Sequence, residues 1–112
     1  MKKKAFMSQK TEDFFPVRSS LLSWKEKADE VFLFHSFKGE FFTLSEFRAA
    51  VWKRSNGRRS IGEIIHEISA AFHLTDEKAS LEVISALDYL AENMLIEFFP
   101  LPFSDRHLER SG

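Results

Sequence analysis

The feature that most constrains this chain is a change of hydrophobic period within Glu40-Phe41-Phe42-Thr43-Leu44-Ser45-Glu46-Phe47-Arg48-Ala49-Ala50-Val51-Trp52. Phe41 to Leu44 are residue types that fit a pleated, half-buried surface. After Ser45 the apolar residues Phe47, Ala50 and Val51 recur at helical spacing. Ser45 is expected to cap the new helix, and Glu46 to place a negative charge at its positive end. A chain that switches here has a small sheet before this point and helices after it.

The sheet is read from the residues upstream. Residues 1–13 are mostly polar, with Lys2, Lys3, Lys4 and Lys10, and read as a flexible solubilising tail. Pro16 disfavours helix at Phe15 and opens an extended stretch. Ser19 to Trp24 is predicted as the first strand, Lys25 to Glu30 as a charged turn, and Val31 to His35 as the second strand. The apolar run of that second strand is continuous, which predicts cover on both faces. Gly39 supplies the positive φ that a tight hairpin needs before the third strand.

Downstream, the first helix is predicted to stop near Asn56-Gly57, because Gly tolerates a left-handed terminus. Ser60 and Glu63 form a capping box for a second helix, whose stripe of Ile61, Ile64, Ile65, Ile68 and Phe72 runs to about His73. Thr75 caps a third helix with Asp76 and Glu77 in its first turn. Ala79, Val83, Ile84, Leu87, Leu90 and Ala91 form its core stripe, and Trp52 reads as a core anchor of the first helix. Leu95 to Phe99 adds a short strand, and residues 100–112 read as a second flexible tail. Residues 14–99 are therefore expected to form one α+β domain: a winged helix-turn-helix with a three-stranded antiparallel sheet followed by three helices.

Composition narrows the function classes. The 112 residues include 44% hydrophobic and 29% charged, an ordinary globular balance, with thirteen Phe, more than so small a core readily buries. The absence of cysteine removes disulfides, thiolate metal sites and a Cys nucleophile, and agrees with a reducing cytoplasm. No apolar run follows the N-terminal lysines, and none is long enough to span a bilayer. A cytoplasmic location and no membrane partner are expected.

A net charge of −1 disfavours a nucleic-acid binder. Lys53-Arg54 and Arg58-Arg59 form a basic cluster that reads as a solvated turn or as a phosphate contact. The third helix, the recognition helix of a DNA-binding winged helix, carries Asp76, Glu77, Glu82, Asp88 and Glu92 against Lys78 alone. That charge opposes a phosphate backbone. Catalysis also lacks support. His66 and His73 share a helix face but lie roughly 10 Å apart, too far to share one metal. No phosphate loop or nucleophile motif occurs. No enzyme activity, catalytic residue, metal or cofactor is predicted.

Taken in order, Pro16, Val31-Phe32-Leu33-Phe34, Gly39, Phe41-Phe42, Leu44-Ser45, Ala49, Val51-Trp52, Asn56-Gly57-Arg58-Arg59-Ser60-Ile61-Gly62-Glu63-Ile64, Glu82-Val83, Leu87, Leu90 and Leu95-Ile96-Glu97 form a pattern. From about Pro16 to Glu97 the chain resembles the PqqD-like family, the RiPP recognition elements. It departs from that pattern at Ser45, where Asn is usual, at Arg48, where Gly is common, and at Met94, where the family often turns on Gly. The resemblance implies a non-catalytic peptide chaperone that holds the leader segment of a ribosomally synthesised precursor peptide. Its further partner is a modifying enzyme or leader peptidase. The implied site is the edge of the third strand, with the third helix as the opposite wall of a groove. Strand addition gives register through backbone bonds and specificity through alternate side chains. The candidate peptide-binding residues are Glu40, Phe41, Phe42, Thr43, Glu82, Ser85, Ala86 and Tyr89. Phe42 and Leu44 are expected to face the core, and Phe41 and Thr43 to lie on a partly open side. A DNA-binding regulator and an adaptor for a folded protein are the alternative readings.

Overall fold

Residues 11–102 are described by a computed structural model; of the two segments read as tails, 1–13 and 100–112, the parts 1–10 and 103–112 lie outside the described residues. Strands β1 (Phe15–Arg18), β2 (Leu22–Lys27), β3 (Glu30–His35) and β4 (Glu40–Leu44) come first. Helices α1 (Glu46–Arg54), α2 (Ile61–Phe72) and α3 (Asp76–Glu92) follow, and β5 (Ile96–Phe99) closes the domain. The predicted α+β arrangement, a three-stranded antiparallel sheet followed by three helices, is the observed one. Its strand order is β2-β3-β4.

The first strand of that sheet sits later than its sequence suggests. Lys25, Glu26 and Lys27 belong to β2 rather than to a turn, and Ala28-Asp29 alone connects it to β3. Ala28 adopts φ +58° to close the tight connection. A charged run fits an edge strand because most of its side chains meet water. Pro16 instead lies in a separate two-stranded ribbon, where β1 pairs antiparallel with β5 from Phe15↔Phe99 to Arg18↔Ile96. The segment before β1 is also ordered: Thr11–Asp13 forms a 3-10 turn, and Glu12 lies over Gly62 of α2.

One core joins these layers. Val31 and Leu33 of β3, Leu44 of β4, and Ala49, Val51 and Trp52 of α1 are buried with Ile64 and Ile68 of α2 and Val83, Leu87 and Leu90 of α3. Each aliphatic side chain of this kind contributes roughly 1.5–3 kcal/mol through burial. Leu44 therefore anchors the last residue of β4 firmly, whereas Phe41 at the other end has no such anchor. The outer face of β3 is a correction to the expectation of cover on both faces: Phe32 and Phe34 are only half-buried. Among the described residues, no helix covers that side closely enough to bury Phe32 or Phe34.

The helix boundaries follow local chemistry with two exceptions. The capping box of Ser60 and Glu63 is formed in both directions, at 3.1 and 2.8 Å, and Thr75 accepts from the Lys78 amide. Ser45, by contrast, makes no side-chain cap; its carbonyl accepts from Arg48 and Ala49 instead. Glu46 turns the chain at φ +52°, a left-handed conformation costing roughly 1–2 kcal/mol for an L-residue. The second exception is the end of α1, which stops at Arg54, before Asn56-Gly57. Its last carbonyls, on Trp52 and Lys53, accept from the Arg18 guanidinium at 3.1 and 3.0 Å. That cation lies over the rings of Trp24 and Trp52, and burial lowers its pKa. Met94, at the position where the resembled family often has Gly, takes φ +62°. No helix among the described residues is long and apolar enough to cross a membrane.

Candidate functional site

The direction of each backbone group on β4 follows from one hydrogen bond two strands away. The Ser36 amide donates to the Leu21 carbonyl at 3.1 Å, so Ser36 and Leu21 lie at a hydrogen-bonded position of the β2–β3 ladder. Antiparallel ladders alternate between bonded and non-bonded pairs. Phe34 and Phe32 therefore direct their amides and carbonyls to β2, and His35, Leu33 and Val31 direct theirs to β4. With the register His35↔Glu40, Leu33↔Phe42 and Val31↔Leu44, these three β4 residues bond inward. Phe41 and Thr43 turn their N–H and C=O groups away from the sheet. No strand pairs with that side of β4 among the described residues.

Side chains divide the same way. Leu44 is buried and Phe42 half-buried on the core side, while Phe41 is 80% exposed and Thr43 is exposed. The expected split of this strand into a core side and an open side is thus observed. Phe41 leans on Phe34, its non-hydrogen-bonded partner, with ring centroids 4.7 Å apart. Glu40 is exposed and paired with Lys38 at 3.4 Å, and the Lys38 ammonium lies 5.9 Å from the Phe42 ring centroid. The hairpin beneath them is rigidified by His35. Its carbonyl accepts from Gly39 at 2.7 Å, and its buried ring Nδ1 accepts from the Lys38 amide at 3.3 Å. Gly39 has φ +67°, as the turn requires.

On α3, Glu82, Ser85 and Ala86 line a cleft of about 240 Å³ with Ser45, Glu46, Phe47 and Arg48. The structure thus brings these three α3 residues against the point where β4 runs into α1. Ala86 is 1% exposed and forms part of the cleft floor, so backbone and neighbouring side chains shape what it offers. Tyr89 lies one turn beyond Ser85, with the Arg48 guanidinium 3.7 Å from its ring centroid. Val83, Leu87 and Leu90 are buried, as their place in the stripe predicts.

Sequence reasoning passed over three residues here. Arg48 and Glu46 complete the cleft, and Leu81, 67% exposed, stands one turn before Ser85. An exposed Leu beside a polar helical flank is a signal that α3 carries apolar surface outside its core stripe. The Arg48–Tyr89 contact had no sequence signal, since it joins two different helices.

The basic cluster is largely committed to the fold. Lys53 pairs with Glu26 at 2.7 Å, and Arg54 and Arg59 pair with the two carboxylate oxygens of Glu67 at 2.9 and 2.7 Å. Burial pushes the Glu67 carboxyl up, but hydrogen bonds from Arg59 and Arg54 outweigh this and hold it below the usual range. Ion pairing of this kind leaves less positive charge to meet a phosphate backbone.

Fold and edge together define a small winged helix-turn-helix domain in which no strand of the described residues pairs with the outer side of β4. The family described as coenzyme PQQ synthesis protein D (PqqD) matches residues 30–96, and the chain belongs to that family. A solved structure described as TbiB1 in complex with the TbiA(beta) leader peptide superposes with a TM-score of 0.65 at 26% identity. The similarity covers 72% of this chain and 94% of that one. No curated protein sequence matches the chain.

Proposed function

We propose that this protein is a cytoplasmic, non-catalytic chaperone that binds the leader segment of a ribosomally synthesised precursor peptide and presents it to a modifying enzyme or leader peptidase. The observation that carries the reading is the open edge of β4, where Phe41 and Thr43 turn their amides and carbonyls outward. An extended peptide laid along that edge satisfies both residues and gains register from the backbone. Glu40 and Phe42 flank them, and Glu82, Ser85, Ala86 and Tyr89 supply the helical wall. Membership of the PqqD family and similarity to a structure that holds a leader peptide support the same reading.

Ordering a disordered peptide costs roughly 2–5 kcal/mol. Two or three apolar anchors at roughly 1.5–3 kcal/mol each, together with the ladder bonds, offset that cost and leave dissociation constants between nanomolar and tens of micromolar. The test is a titration of isotopically labelled protein with a leader peptide encoded by a short reading frame beside its gene. Amide shifts are expected at Phe41 to Leu44 and along α3. Saturable binding whose shifts avoid both elements overturns the groove.

A further inference from the structure

We infer that the outer face of the sheet is a second contact surface for the bound peptide, and that Phe41 selects an apolar side chain there. This rests on the leader-binding reading above and adds a requirement on the peptide. The groove toward α3 reads one set of alternate side chains. The sheet face around Phe41 reads the other set.

The geometry follows from the ladder. Phe41 and Thr43 are the β4 residues with outward backbone groups, so an antiparallel peptide strand pairs directly with them. Residues directly opposite in such a pair have their side chains on the same face. The peptide residue facing Phe41 therefore projects onto the outer face, beside the Phe41 ring, and so does the residue facing Thr43. The residue between them, opposite Phe42, projects toward α3. A parallel strand shifts the bonding but keeps the alternation, because side chains on neighbouring strands alternate in phase.

That outer face is apolar where the peptide would lie. The Phe41 ring packs against Phe34 at a tilt of 44°, and Phe32 lies opposite Thr43 on the same side. Phe32 and Phe34 are half-buried, and Phe41 is exposed. Exposed edge strands are usually protected by charge or Pro. The residues of β2 on this face are Ser23, Lys25 and Lys27, whereas β4 presents Phe41 and Thr43. The apolar character is concentrated at the edge that the peptide would extend. An added strand with an apolar residue opposite Phe41 continues the ring pair of Phe34 and Phe41 by one strand.

The experiment uses the full chain and a surface-displayed library of random ten-residue peptides, sorted against the wild type, Phe41→Thr and Phe41→Leu. Phe41 is exposed, so the variants are expected to unfold at the wild-type temperature, which a thermal melt checks. Wild-type binders are expected to carry apolar residues in two interleaved alternate sets. Phe41→Thr should abolish the preference at one set, retain it at the other, and weaken representative binders roughly fivefold to twentyfold. Phe41→Leu should retain both preferences. If Phe41→Thr selects the same peptides at the same affinity, the inference fails while leader binding stands. If the wild type retains no peptide at all, leader binding itself fails, and the inference with it.

Discussion

The three-stranded sheet has two edges, and they are built differently. At β2 the sequence Leu22-Ser23-Trp24-Lys25-Glu26-Lys27 places charge along the strand, and Glu26 is tied to Lys53 of α1. Trp24 lies edge-on to Trp52 at 5.7 Å and shares the Arg18 cation with it. At β4 the sequence Glu40-Phe41-Phe42-Thr43-Leu44 has no lysine or proline, and Phe41 is exposed. Edges of natural sheets are normally blunted by charge, Pro or cover. One edge of this sheet follows the rule and the other departs from it. The difference agrees with the proposed addition of a strand at β4, whose outer side no strand of the described residues pairs with.

The largest expected effect breaks the comparison at its backbone. The Thr43 amide points away from β3, so Thr43→Pro removes an outward donor and no ladder bond within the sheet. Affinity for a leader peptide is expected to fall roughly fivefold to hundredfold, because one lost bond and the clash of the Pro ring together cost on the order of 1–3 kcal/mol. The fold should persist. Glu26→Pro, at the corresponding outward position of β2, should leave peptide affinity unchanged; isothermal titration of both variants decides between the edges. Equal losses would remove strand addition at β4 as the mechanism.

A second, intermediate effect sharpens the role of charge. Replacing Lys25 and Lys27 with Thr makes the outer face of β2 resemble that of β4. Self-association is then expected to rise, measured as a concentration-dependent mass by light scattering, because exposed uncharged edges pair with one another. A variant that stays monomeric at high concentration would show that the lysines are not the guard.

The smallest effect concerns scaffold remote from both edges. Glu67 joins Arg54 of α1 to Arg59 in the turn before α2. Its folded-state pKa lies below the unfolded value, so its contribution is present above the unfolded pKa and is lost as pH falls through the folded one. Glu67→Gln should cost about 0.5–1 kcal/mol at neutral pH, as partly exposed pairs do. The difference from wild type should shrink on acidification below about pH 4, followed by thermal melts across pH. Peptide affinity is expected to be unaffected at neutral pH. A difference that grows on acidification would contradict the assignment.

How much of this was legible beforehand depended on the range of the interaction. Ser60 with Glu63, and Thr75 with Lys78, act within one helical turn, and the sequence located α2 and α3 through them. Phe41 and Thr43 were separable from Phe42 and Leu44 because a strand alternates strictly. The same local reasoning failed at Ser45. There the strand turns into α1 through a left-handed Glu46, and the Ser45 side chain makes no cap hydrogen bond. It also failed at β2, where a charged run resembles a turn until a neighbouring strand gives it a ladder.

By itself, then, the sequence determined that a small sheet precedes three helices, together with two helix starts and the two-sided character of β4, all of which rest on short-range periodicity and capping. Tertiary structure decided the pairing of β1 with β5, which brings together residues from opposite ends of the described chain. It also decided the contact of Arg48 with Tyr89 and the cleft beside Glu82 and Ser85. The outward direction of the Phe41 and Thr43 amides belongs to the same group. No periodicity encodes it; it depends on the register of β2 on β3 and of β3 on β4, which is fixed only when the core closes over Val31, Leu33 and Leu44.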